Sequence, residues 1–281
     1  MATQIATQIA PGAARGEDVE YMSGGRKFQT DCSILRSTSN YLNSPLIRDL
    51  YCNEGLRLSG PDVITTSLIP QFYDAFDTLR DENSVARMFS EDAARRPELR
   101  AWLDERYLRN VTLDDVRDCA PGTFGAGVRE LLDAGFQLQF AHLGPAEGDY
   151  DYMRKRRAQV HDFEHIVTGL KPSMPGEIAL FIAHMTNSCR YYQPGLAKET
   201  ALVSSFLSTT WVLRTALHYP EAMVAICDSL EKGAQLGRAM SRPFYMEKWE
   251  DYFDWQLADL RAKFSYPEFT DFHGDWDWVE P

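Results

Sequence analysis

His161-Asp162-Phe163-Glu164-His165, followed after eleven residues by Glu177, is the stretch of this chain whose residue types and spacing best fit chemistry. On a helix that advances about 100° per residue, His161, Asp162 and His165 project at roughly 0°, 100° and 40°, from one face. A His pair at i, i+4 lets two imidazoles reach one metal ion. Pro172 and Pro175 break the helical pattern beyond His165, and Glu177 falls in the first turn of the helix that follows. If that helix folds back, two imidazoles and one or two carboxylates make a nitrogen and oxygen site suited to zinc, iron or manganese. The same spacing also occurs on solvated helix faces, and an acid in a first helical turn complements the helix dipole without binding anything. Convergence on one helix–turn–helix favours the metal reading.

Arg154 and Arg157 lie on the same face, about 20° and −40° from His161, two turns and one turn before it. A guanidinium there can take a carboxylate or phosphate in bidentate fashion. Arg154-Lys155-Arg156-Arg157 also reads as a solvated basic run, yet it is the densest basic cluster in the chain.

The elements that must position these residues are helical. Apolar residues recur every three to four positions in Leu68 to Phe89, Pro97 to Leu108, Phe124 to Leu132, Tyr150 to Leu170, Gly176 to Cys189, Lys198 to His218, Glu221 to Met240 and Met246 to Phe264. Thr112 with Asp115 three residues on forms a variant capping box, and Pro121-Gly122-Thr123-Phe124-Gly125 is a turn signal. Hardly any segment alternates with period two. The expectation is an all-α fold, a single helical domain of about eight to ten helices over residues 33–266. A flexible tail at 1–32 and an acidic, aromatic tail at 267–281 would flank it.

Composition narrows the function. The 281 residues carry 29 Lys+Arg against 41 Asp+Glu, a net charge of −12, and are 44% hydrophobic and 25% charged. An acidic surface has the wrong field for a nucleic-acid backbone, so nucleic acid is not an expected partner. Five scattered cysteines, Cys32, Cys52, Cys119, Cys189 and Cys227, form no close pair. They read as buried or inert thiols of a reducing compartment. No export signal and no run of ~18 apolar residues stands out.

The motif His-Asp-x-x-His, eleven residues, then Glu, here HDFEHIVTGLKPSMPGE, resembles the signature of the ubiquinone-biosynthesis Coq proteins of the fourth class. The resemblance extends to Pro121-Gly122-Thr123-Phe124-Gly125 and to Gly176-Glu177-Ile178-Ala179-Leu180, and more weakly over residues ~40 to 265, through Trp249, Leu257 and Arg261. Glu164 departs from it, standing where family members often carry a bulky aromatic. The resemblance implies a helical protein holding a divalent metal, commonly zinc, through His161, Asp162, His165 and Glu177. It implies removal of the C1 carboxyl of a polyprenyl-hydroxybenzoate with hydroxylation at that carbon, association with other quinone-biosynthesis proteins, and binding of isoprenoid tails.

An apolar channel for such a tail would be sought at Ile178, Phe181, Ile182, Phe206 and Trp211, although stripes at this spacing are commonly core. A homodimer is expected, in a cytoplasmic setting peripheral to the inner membrane, or on the matrix side in a mitochondrion. Two other readings stay open. One is a non-catalytic scaffold that binds isoprenoid lipid, with the acidic, aromatic C-terminus docking a partner. The other is a metal-dependent hydrolase drawing on His142, His184 or His218.

Overall fold

A computed structural model describes residues 40–57, 68–135 and 145–269. Cys32, His142, the N-terminal tail and the C-terminal tail beyond Phe269 lie outside the described residues. The described residues are all-α, with no strand among them beyond one isolated bridge between Thr123 and Gln256. None of their helices is long and apolar enough to cross a membrane.

The chain parts into two compact units. The first contains α1 (Asn40–Asn43), α2 (Pro45–Leu56) and α3 (Leu68–Asp77). Ser44 starts α2 by accepting a hydrogen bond from the Ile47 amide at 3.4 Å, with Pro45 in the first turn. Phe72 and Phe76 are fully buried and stack at 6.1 Å, and Tyr41 meets Phe76 edge-on at 5.3 Å.

The second unit contains α4 (Glu82–Arg95), α5 (Pro97–Glu105), α6 (Leu113–Val116), α7 (Phe124–Asp133), α8 (Asp149–Thr168), α9 (Met174–Tyr191), α10 (Pro194–His218), α11 (Met223–Ala239) and α12 (Leu257–Phe264). Asp81 caps α4 through the Ser84 amide at 3.1 Å, which is why the helical pattern from Leu68 to Phe89 divides in two. The Thr112–Asp115 capping box forms as expected, with the Thr112 amide donating to Asp115 Oδ2 at 2.8 Å.

One helix expectation needs correction. Residues 246–264 are not a continuous helix: short 3₁₀ turns at Phe244–Met246 and Trp249–Tyr252 precede α12. The carbonyls that a helix would use there are diverted. The Phe124 amide donates to the Trp255 carbonyl at 2.9 Å and the Gly125 amide to the Phe253 carbonyl at 2.8 Å. The Pro-Gly-Thr turn is thus a clamp on this segment, and Phe124 packs edge-on against Phe163 of α8 at 5.3 Å beside Trp249 and Phe253.

α9 packs most closely on α11, and glycines explain the approach. A methyl on Gly237 would reach within 2.6 Å of Thr186 Cβ and 2.5 Å of the Ala183 carbonyl oxygen, and one on Gly233 within 2.9 Å of Ile182 Cβ. These two residues sit one helical turn apart on the same face, so two backbones come together along a seam that larger residues would hold open. The expected channel is mostly core: Ile178, Phe181 and Trp211 are buried, and Phe181 stacks on Trp211 at 5.3 Å. Of the described cysteines only Cys119 is buried, and Cys52, Cys189 and Cys227 are exposed free thiols, contrary to the buried reading. Each falls on the solvent-facing side of its helix, so helix periodicity and not thiol chemistry sets its exposure.

Candidate metal centre

α8 carries the two histidines and ends at Gly169, whose φ of 77° is the left-handed conformation that closes a helix. Ser173 then opens α9, accepting from the Gly176 amide at 3.4 Å with Pro175 in the first turn. The short turn sends the chain back along α8 and sets Glu177 against the histidine face.

His165 Nε2 lies 2.9 Å from Glu177 Oε1, and His161 Nε2 lies 3.3 Å from the same carboxylate. Across the trio, one ligand atom from each residue falls within 4.8 Å of the others. His165 and Glu177 are buried, while His161 keeps 31% of its side chain exposed. His165 Nδ1 is 2.8 Å from the Leu170 carbonyl. A carbonyl only accepts, so Nδ1 carries a proton, and the Nε2 that faces Glu177 either donates a second proton to that carboxylate or, in the neutral ring, offers its lone pair to an ion between them. This fixing of a ligating imidazole by a backbone acceptor is typical of metal sites. Two imidazoles and one carboxylate match a three-ligand zinc site with an open position, and iron or manganese would also accept them.

Asp162 is not one of the converging three. It is half-buried on the neighbouring flank of α8, where it lines a recess of about 170 Å³ with His165, Leu131, Ile166, Leu170 and Pro172. Its angular offset from the histidines, about 60° from His165, accounts for the separation.

The electrostatics favour positive charge beside Glu177, carried by protons on the histidines or by an ion in their place. Burial works against charge at His161, but the carboxylates of Glu177 and Glu164 outweigh it and hold its pKa well above the ordinary value. Burial likewise opposes ionisation of Glu177, and His161 and His165 overcome it, keeping the carboxyl well below the usual range. Burial pushes the Asp162 carboxyl up.

The basic run divides. Arg157 donates to the Thr200 carbonyl at 3.2 Å and to Ser204 Oγ at 2.6 Å. Both acceptors are neutral, and no carboxylate among the described residues forms an ion pair with it. Arg154 is half-buried on α8. Arg156 is not solvated: it is 1% exposed and makes a bidentate ion pair with Glu250 at 2.7 and 2.8 Å. Burial on the opposite flank of α8 from the histidines reflects its place about −140° from His161.

One pairing escaped the sequence reading, in which Glu164 stood only as a departure from the family pattern and His184 only as a candidate for a hydrolase. His184 Nε2 lies 2.7 Å from Glu164 Oε2, and both side chains are buried. The signal was present, since His184 follows Glu177 by seven residues and therefore shares its face of α9. His218, at the last turn of α10, is not a member of the cluster.

Residues 109–268, more than half of the chain, match the sequence model of the coenzyme Q (ubiquinone) biosynthesis protein Coq4 family. The fold is similar to the crystal structure of a candidate ubiquinone biosynthesis protein from Nostoc punctiforme, with a TM-score of 0.60 and 21% sequence identity over 77% of this chain and 95% of that one. At that identity the likeness concerns the fold. No curated protein matches the chain.

Proposed function

Because the chain belongs to the coenzyme Q (ubiquinone) biosynthesis protein Coq4 family, we propose that it serves that pathway as a metal-dependent enzyme, removing the C1 carboxyl of a polyprenyl-hydroxybenzoate with hydroxylation at that carbon. The convergence of His161, His165 and Glu177, with His165 held in the ligating tautomer, is the observation that carries this reading. These three would hold the ion, and Asp162, beside them, is the fourth candidate ligand. Bound there, a divalent metal would supply Lewis acidity toward substrate oxygens, and zinc would bring no redox chemistry of its own, leaving dioxygen as the oxidant.

The chain's own residues supply the rest. Arg157, one turn before His161 and hydrogen-bonded among the described residues to two neutral oxygens, would hold an anionic carboxylate, with Arg154 a turn further out. Leu131, Ile166, Leu170 and Pro172 give the recess beside His165 an apolar wall that would suit the flat face of an aromatic ring. Other quinone-biosynthesis proteins, a second copy of the chain and a membrane surface carrying the prenylated substrate are the partners this reading calls for.

The test begins with metal analysis of the purified protein. Metal-loaded wild type and His161→Ala are then incubated with a prenylated 4-hydroxybenzoate under oxygen, and CO₂ release is followed. Turnover lost in the variant supports the enzyme. Metal-loaded wild type without turnover favours a scaffold that binds isoprenoid lipid, and protein that takes up no metal overturns the site.

A further inference from the structure

Glu164 does something that the three-ligand site does not explain. It is 1% exposed, on α8 between the two histidines. Oε2 accepts from His184 Nε2 at 2.7 Å and lies 3.8 Å from His161 Nδ1. Oε1 is buried with no hydrogen-bond partner among the described residues. A buried carboxylate left with an unmatched oxygen is costly, and unsatisfied buried groups concentrate where an interaction is completed by something further.

The two histidines differ in what lies behind them. Behind His165, the Leu170 carbonyl accepts from Nδ1 and turns Nε2 toward Glu177. Behind His161, the group in the corresponding place is Glu164. For His161 to offer Nε2 as a ligand, its proton must sit on Nδ1, the nitrogen that faces this carboxylate. His161 is also the more exposed of the two and the freer to turn.

We infer that Glu164 is the positioning residue of the His161 ligand, accepting a hydrogen bond from its Nδ1–H while His184 pins the carboxylate from the other side. The inference rests on the metal-site reading. A hydrogen bond requires the 3.8 Å separation from Oε2 to close by about 1 Å, or the ring to swing to the unmatched Oε1 of the same carboxylate, movements within reach of a partly exposed ring turning inside one rotamer well. α8 would then supply both histidine ligands and the carboxylate behind one of them, and α9 would supply Glu177 and, two turns on, the histidine that pins that carboxylate.

The experiment measures zinc and cobalt affinity of the full chain by competition with a chromophoric chelator. Glu164→Leu combined with His184→Leu removes the buried carboxylate and its hydrogen-bond partner together, leaving neither side chain without the other, and is expected to bind about 10–100-fold more weakly. Glu164→Gln keeps an acceptor and should recover part of that loss. Affinity of the double variant within twofold of wild type overturns the inference and leaves the ligand trio standing. Wild type that binds neither metal overturns both. If the double variant fails to fold, Glu164→Gln decides: the inference expects weaker binding with a displaced visible band in the cobalt form. An unchanged affinity and band overturn it, because a purely structural buried pair would alter stability but not the ligand field.

Discussion

Gly176→Ala is a one-methyl perturbation that should uncouple the metal centre without touching a ligand. Gly176 is in the first turn of α9, next to Glu177, where the chain doubles back. A Cβ there would sit 3.1 Å from the Lys171 carbonyl carbon, 3.3 Å from its nitrogen and well inside contact distance of its oxygen. Comfortable carbon–oxygen contacts begin near ~3.3 Å, so the backbone must withdraw by about 1 Å or more. Glu177 moves with it. Its carboxylate now lies 2.9 Å from His165 and 3.3 Å from His161, and a shift of that size takes it out of a common coordination sphere. Overpacking of this kind costs about 1–3 kcal/mol of stability. Displacing one of three ligands should weaken zinc binding by at least about tenfold, the loss seen even for outer-sphere partners. The assay is zinc competition on protein shown to be folded by circular dichroism, with the melting temperature recorded alongside. Affinity within twofold of wild type would refute the argument that Gly176 sets the position of Glu177.

Other consequences concern different parts of the molecule. Glu250→Gln leaves Arg156 charged and buried without its partner, and urea denaturation should show a loss of about 3–5 kcal/mol; a loss below 1 kcal/mol would mean that the pair is not what fixes α8 on the segment after Met246. Arg157→Gln should weaken binding of an anionic hydroxybenzoate by about tenfold or more, read by calorimetry, with metal content unchanged. Gly237→Ala drives a methyl into the Ala183–Thr186 turn of α9 and should lower stability by about 1–3 kcal/mol in a thermal melt. Burial, aided by Asp254, raises the Cys119 thiol pKa, so at pH 8 iodoacetamide should modify Cys189 and Cys227 first and Cys119 last; early labelling of Cys119 would contradict its burial.

Much of the local structure could be read in the chain because its causes are local. The capping box at Thr112 and the proline break before α9 act within a few residues. The His–His spacing likewise follows from helix periodicity. Where the reading failed, distant groups were responsible. The helix anticipated between 246 and 264 gives way because amides from 124 and 125 capture its carbonyls. Arg156 looked like one of four solvated cations, and only the glutamate 94 residues away makes it a core residue.

The site shows the same division. Residue type and spacing in the chain already single out His161, His165 and Glu177 as groups able to share an ion, since one helix and one turn bring them together. Which carboxylates join them is a tertiary matter. Asp162 is turned toward the recess, whereas Glu164 meets His184, because the packing of α9 on α8 determines which flank of the histidine helix is covered and which faces the cavity. Helix periodicity assigns each side chain a direction, but what lies in that direction is supplied by the neighbouring helix, and no spacing within one helix records it.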